Sequence, residues 1–84
     1  MKKEKFQELL DFCVIIDYKW DKNNCIVNDL ENYYEEIYSQ DTIDAYTELK
    51  NFLNKKCHKH FFDEYVECFQ FNDFTVEFIP NYED

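Results

Sequence analysis

Apolar side chains recur at spacings of three and four through the first twenty residues. Phe6, Leu9, Leu10, Cys13, Ile16 and Trp20 make one stripe, the pattern of an amphipathic helix. Val14 and Ile15 lie off it, so the second half of this segment is open to an extended conformation. Asp21-Lys22-Asn23-Asn24 then interrupts the pattern with polar turn residues. Asn28 stands in an N-cap position, with Glu31 three residues on as in a capping box. Leu30, Tyr33, Tyr34, Ile37 and Tyr38 follow at helical spacing up to Ser39-Gln40-Asp41. A third helix is expected from a cap at Asp41 or Thr42. It carries Ile43, Tyr46, Leu49, Phe52, Leu53, Cys57, His60 and Phe61 on its stripe and runs to about Tyr65 or bends near Cys57. Lys50, Lys55 and Lys56 fall toward its C-terminal end, where cations suit the helix dipole.

The period changes near the end of the chain. Phe69, Phe71, Phe74, Val76 and Phe78 alternate with Gln70, Thr75 and Glu77 around Asn72-Asp73, the signature of a β-hairpin. The pairing places Phe71 opposite Phe74 and Phe69 opposite Val76 on one buried face. Pro80 ends the second strand, and Asn81 to Asp84 is a short acidic tail. The expected architecture is α+β: three helices followed by a C-terminal β-hairpin, in one domain over residues 1–84, with no internal repeat or linker.

A chain of 84 residues buries a modest share of its surface, so its core must be dense. Nine Phe, seven Tyr and one Trp supply that density. Gly is absent and Pro occurs once. A Gly-rich phosphate loop is therefore excluded, and the turns are expected to use Asn and Asp. Glu8 and Asp11 interrupt the apolar stretch after Met1-Lys2-Lys3-Glu4-Lys5, where a secretion signal needs an unbroken one. The run Phe12 to Ile16 is too short to span a bilayer. A cytoplasmic protein with reduced thiols is the expectation.

Charge changes the picture most. Nineteen Asp and Glu face nine Lys and no Arg, a net charge of −10. Such a field disfavours nucleic acid and anionic membranes and favours basic surfaces. The carboxylates also cluster. Asp29, Glu31, Glu35 and Glu36 lie on the second expected helix, and Asp41, Asp44 and Glu48 continue at similar spacing on the third. Neighbours on a helix face repel by a few tenths of a kcal/mol per pair. With Tyr34 and Tyr38 among them they form the candidate partner-binding site: Tyr offers contact area with a polar tip, and a row of carboxylates presents a Lys- and Arg-lined groove with charge spaced like phosphates. A solvated helix face that only aids solubility is the competing reading.

Cys57 and His60 have C-x-x-H spacing, with Cys68 further on. A zinc site wants a second close pair, which neither Cys13 nor Cys25 provides, so neither metal nor cofactor is expected. Catalysis is not expected either. Activation of a Cys57 or Cys68 thiol by His58 or His60 needs a positive environment, and the carboxylate of Glu67 beside Cys68 opposes it. In composition the whole chain resembles small phage-encoded inhibitors of the anti-CRISPR and anti-restriction kind, which act as nucleic-acid mimics. The resemblance implies a stoichiometric blocker of a nucleic-acid-binding bacterial enzyme. An immunity protein or antitoxin capping a basic nuclease toxin fits the same features, and a zinc-stabilised adaptor is a third alternative. Surplus aromatics allow two copies to pair as a homodimer, against repulsion between identical acidic faces.

Overall fold

A computed structural model of the protein describes residues 1–31 and 36–80. Among these, the chain forms α1 (Lys3–Phe12), β1 (Tyr18–Asp21), β2 (Asn24–Asp29), α2 (Gln40–Lys56), β3 (Lys59–Asp63), β4 (Val66–Gln70) and β5 (Thr75–Pro80). The strands make one sheet in the order β1-β2-β5-β4-β3, with β2 and β5 parallel and all other neighbours antiparallel. The class is α+β, but three helices followed by a hairpin is overturned: the described residues hold two helices and five strands.

The physical reasons are local. α1 stops at Phe12, and the Cys13 N–H bonds back to the Leu10 carbonyl at 2.9 Å. Val14, Ile15 and Ile16 then form a β-branched run that disfavours another helical turn. Trp20 reaches Phe6 from β1 instead, ring edge to face at 6.3 Å. Gln7 ties the two elements together by accepting from Trp20 Nε1 and donating to the Tyr18 hydroxyl. Asn28 and Asp29, expected to open a helix, end strand β2. Of that expected second helix, residues 32–35 lie outside the described residues, and 36–38 form turns and a bend. α2 is capped by Ser39, whose hydroxyl accepts from the Thr42 N–H at 3.2 Å, ahead of the expected Asp41 or Thr42. It ends at Lys56, where the His58 N–H bonds to the Gln70 carbonyl at 2.8 Å and leads the chain into β3.

The C-terminal alternation pairs as its sequence implies. Phe69 faces Val76, and the Phe71 N–H bonds to the Phe74 carbonyl at 2.9 Å. These strands are not a free hairpin, because β5 lies at the centre of the sheet between β4 and β2. Alternation puts Trp20, Cys25, Val27, Phe69, Val76 and Phe78 on the side covered by the helices, and Lys19, Ile26, Phe61, Cys68 and Glu77 on the other. Phe6, Cys25, Val27, Leu53, Phe69, Val76 and Phe78 are fully inaccessible. Each large apolar side chain buried this way stabilises the fold by about 1.5–3 kcal/mol.

At two hairpin turns the residue with positive φ is not the Asn or Asp expected there. Lys22 and Glu64, each first in a two-residue loop, have φ of 58° and 57°. Gly is favoured at such a position, and a chain without Gly places long charged side chains there instead.

The Cys25 thiol is pushed up to about 12 by burial, and burial raises the Tyr46 hydroxyl as well. Between the ordinary cysteine value and 12 the folded state therefore binds more protons than the unfolded one, so stability falls as pH rises through that window, by up to about 1.4 kcal/mol per pH unit. Urea unfolding from pH 7 to 11 is expected to give a midpoint that declines only above pH 9, and a Cys25→Ala variant is expected to decline less steeply.

Candidate functional site

The sheet has two chemically different ends. One holds the β1–β2 and β4–β5 turns. α1 starts there, with the Lys3 N–H 3.4 Å from Asp73 Oδ2 and Lys3 Nζ 3.1 Å from the Lys22 carbonyl. α2 finishes there, so the two helices run antiparallel. This topology collects Lys2 before α1, Lys3 and Lys5 in it, Lys22 of the turn, Lys55 and Lys56 of α2, and Lys59 of β3 at one end, where they outnumber Glu4, Asp21 and Asp73. Lys19 and Lys50 lie between the ends.

The opposite end gathers carboxylates from five separate segments. Asp17 precedes β1, Glu31 follows β2, Glu36 precedes α2, Asp41 and Asp44 open α2, and Asp63 and Glu64 close β3; all are exposed. Glu31, Glu64, Tyr65, Val66, Ile79 and Pro80 line an open groove of about 410 Å³ at this end. Tyr65 projects from it and is 85% exposed. None of these seven carboxylates makes an ion pair among the described residues. Asp17 accepts from the Asn28 side chain at 3.3 Å, and Asp44 from Gln40 at 2.8 Å. Both partners are neutral, so the negative charge stays uncompensated.

The expected site residues divide. Glu31, Glu36, Asp41 and Asp44 all lie at this end. Glu48 is exposed a turn further along α2, on the lip of a groove between the helices. Tyr34 and Glu35 lie outside the described residues. Asp29 leaves the group: its side chain is 9% exposed and pairs with Lys50 at 2.8 Å. Lys50 also reaches Glu67 at 3.1 Å, and Glu67 reaches His60 at 2.7 Å. Asp29 therefore belongs to an internal charge chain that joins α2 to the sheet. Tyr38 is half-buried, and its hydroxyl accepts from the Glu31 N–H at 3.2 Å, which makes it a strut beneath the carboxylates. Tyr46 is likewise in the core, donating to the Asn28 carbonyl at 2.9 Å.

Asp17, Asp63 and Glu64 are the residues the sequence pattern missed, and Tyr65, one of the surplus aromatics, stands beside Glu64. Asp63-Glu64-Tyr65 reads as the end of a long helix until the turn at Glu64 is known. The Cys and His residues do not converge. Cys57 Sγ donates to the Asn54 carbonyl at 3.6 Å, whereas His60 engages Glu67 and stacks on Phe69 with ring centroids 4.5 Å apart. Cys68 is on the opposite face of the sheet from His60, and its thiol is raised by burial and then by the carboxylates of Glu77, Asp63 and Glu67, the reverse of nucleophile activation. All four cysteines are free thiols. Among the described residues no group of three or more His, Cys, Asp or Glu side chains is placed to hold a metal ion, and no helix is long and apolar enough to cross a membrane. No family model matches the chain, and neither a curated protein nor a solved structure matches it.

Proposed function

We propose that this chain is a stoichiometric protein inhibitor whose acidic end docks on the basic nucleic-acid-binding surface of a bacterial enzyme, as anti-CRISPR and anti-restriction mimics do. It works in the cytoplasm and without chemistry of its own. The observation that supports this reading is that one end of the sheet carries seven exposed carboxylates, two of which, Glu31 and Glu64, share a groove with the exposed ring of Tyr65. Holding like charges together from five segments costs stability, and a cationic partner offsets that cost. Tyr65 adds a flat apolar face on which an arginine of the partner stacks.

Capture from a bacterial lysate at low salt, with elution by rising salt, is expected to recover a nuclease or another nucleic-acid-binding enzyme that duplex DNA or RNA displaces. The combined reversal Glu31→Lys, Glu36→Lys and Glu64→Lys alters only exposed side chains. It is expected to slow association with the recovered enzyme by about ten-fold or more, because electrostatics acts first on the on-rate. An unchanged on-rate across salt concentrations for the triple variant would sink the proposal.

A further inference from the structure

The outer face of the helical layer carries more exposed apolar surface than the fold needs. Leu9, Leu10, Cys13, Ala45, Leu49 and Phe52 line a groove of about 370 Å³ between α1 and α2. Phe12 and Val14 flank Cys13 and are 89% and 92% exposed. Exposed apolar side chains beside such a groove offer a surface for association.

The charges around the groove restrict what covers it. Because the helices are antiparallel, Lys2 just before α1 and Lys5 within it, the latter 3.8 Å from Glu8, lie at the same end of the groove as Lys55 and Lys56 of α2, which leaves that end with a surplus of lysine, while Asp41, Asp44 and Glu48 mark the other. Asp41 and Lys55 are 14 residues apart on α2, which is about 21 Å along a helix. The Debye length at physiological salt is about 8 Å, so each end presents its own sign to whatever touches it. A uniformly basic partner is attracted at one end and repelled at the other.

We infer that this face is a homodimer interface, in which two copies pack groove to groove and turned end for end. The lysine end of each copy then meets Asp41, Asp44 and Glu48 of the other, and a two-fold axis satisfies both contacts at once. Repulsion between identical acidic faces, the objection a bare net charge raises, does not arise in this orientation. The acidic groove at Glu31, Glu64 and Tyr65 is lined by Ile79 and Val66 from the sheet face that points away from the helices. That part of the acidic end stays open in the dimer, whereas Asp41 and Asp44 are shared with the dimer contact, so the triple reversal at Glu31, Glu36 and Glu64 tests the inhibitor reading without touching the residues that test the dimer.

Sedimentation velocity at about 150 mM salt, where the net charge of each copy is screened, tests the inference. The wild-type chain is expected to be dimeric at about 100 µM and to dissociate on dilution. The double variant Leu9→Asp, Phe52→Asp is expected to be monomeric, with its circular-dichroism melt showing that it still folds. Reversing the basic end (Lys5→Glu, Lys55→Glu, Lys56→Glu) or the acidic end (Asp41→Lys, Asp44→Lys, Glu48→Lys) is expected to weaken self-association at least ten-fold. The six-fold variant carrying both reversals is expected to restore it, which a merely structural effect of the substitutions does not do. A wild-type chain that stays monomeric overturns the inference, even if a foreign protein occupies the groove. So does a six-fold variant that folds but fails to recover.

Discussion

Phe69→Ala is expected to leave the protein largely unfolded at 37 °C. Phe69 is fully inaccessible at the centre of the core. Its ring stacks on His60 with centroids 4.5 Å apart and meets the edge of Phe78 at 5.6 Å, and its backbone sits opposite Val76 on the central strand. Truncation removes the transfer free energy of the ring and leaves a cavity among groups held by the sheet, a cost of about 3–5 kcal/mol. A domain of this length has a total stability of roughly 4–13 kcal/mol, and its core is small. The expected fall in melting temperature is about 15–30 °C. Phe62→Ala is the control. Phe62 has the same side chain but is 64% exposed on the edge strand β3, and its truncation is expected to change stability by no more than about 0.5 kcal/mol. Thermal melts of the two variants decide the point, and equal shifts would mean that the core is not centred on Phe69.

The contrast between these two phenylalanines shows what the linear pattern carries and what it does not. Both sit in alternating or near-helical runs, and nothing local separates them. The hairpin of β4 and β5 was legible because its register depends on neighbours in sequence: Phe69 and Val76 are seven residues apart. The parallel pairing of β2 with β5 joins Cys25 to Val76 across half the chain, and no local spacing encodes it. Once that partner is invisible, Cys25 and Val27 look like an unremarkable stretch between two helices. β3 was misread for a different reason. Cys57, His60 and Phe61 continue the three-and-four spacing of α2 by coincidence, and the turn at Glu64-Tyr65 uses none of the residues that usually mark one.

The candidate site was legible in the same uneven way. Asp41 and Asp44 were found because they share a helix turn. Asp17, Asp63 and Glu64 come to the same end through sheet topology alone. Charge composition gave the sign of the surface but not its polarity. Nearly all the lysines gather at the far end because α1 begins where α2 finishes, a relation that exists only in the folded chain.

Lys50→Met tests the place where, among the described residues, oppositely charged side chains meet with little exposure. The methionine keeps the apolar stem of Lys50, which packs under the Phe78 ring with Nζ 5.0 Å from its centroid, and removes only the cation. Asp29 and Glu67, at 9% and 14% side-chain exposure, then lose the ammonium that now lies 2.8 and 3.1 Å away. Removing one partner from a buried pair costs about 3–5 kcal/mol. Residual solvent access to these groups reduces that, and a loss of roughly 2 kcal/mol is expected by urea unfolding at pH 7. Replacing both carboxylates as well, in the triple variant Lys50→Met, Asp29→Asn, Glu67→Gln, is expected to recover at least half of the loss, because the neutral amides carry no charge that needs the cation. Full stability in the single variant would show that the carboxylates turn out to water when the lysine is gone. The chain Asp29–Lys50–Glu67–His60 would then be a consequence of the fold and not one of the contacts that hold α2 against the sheet.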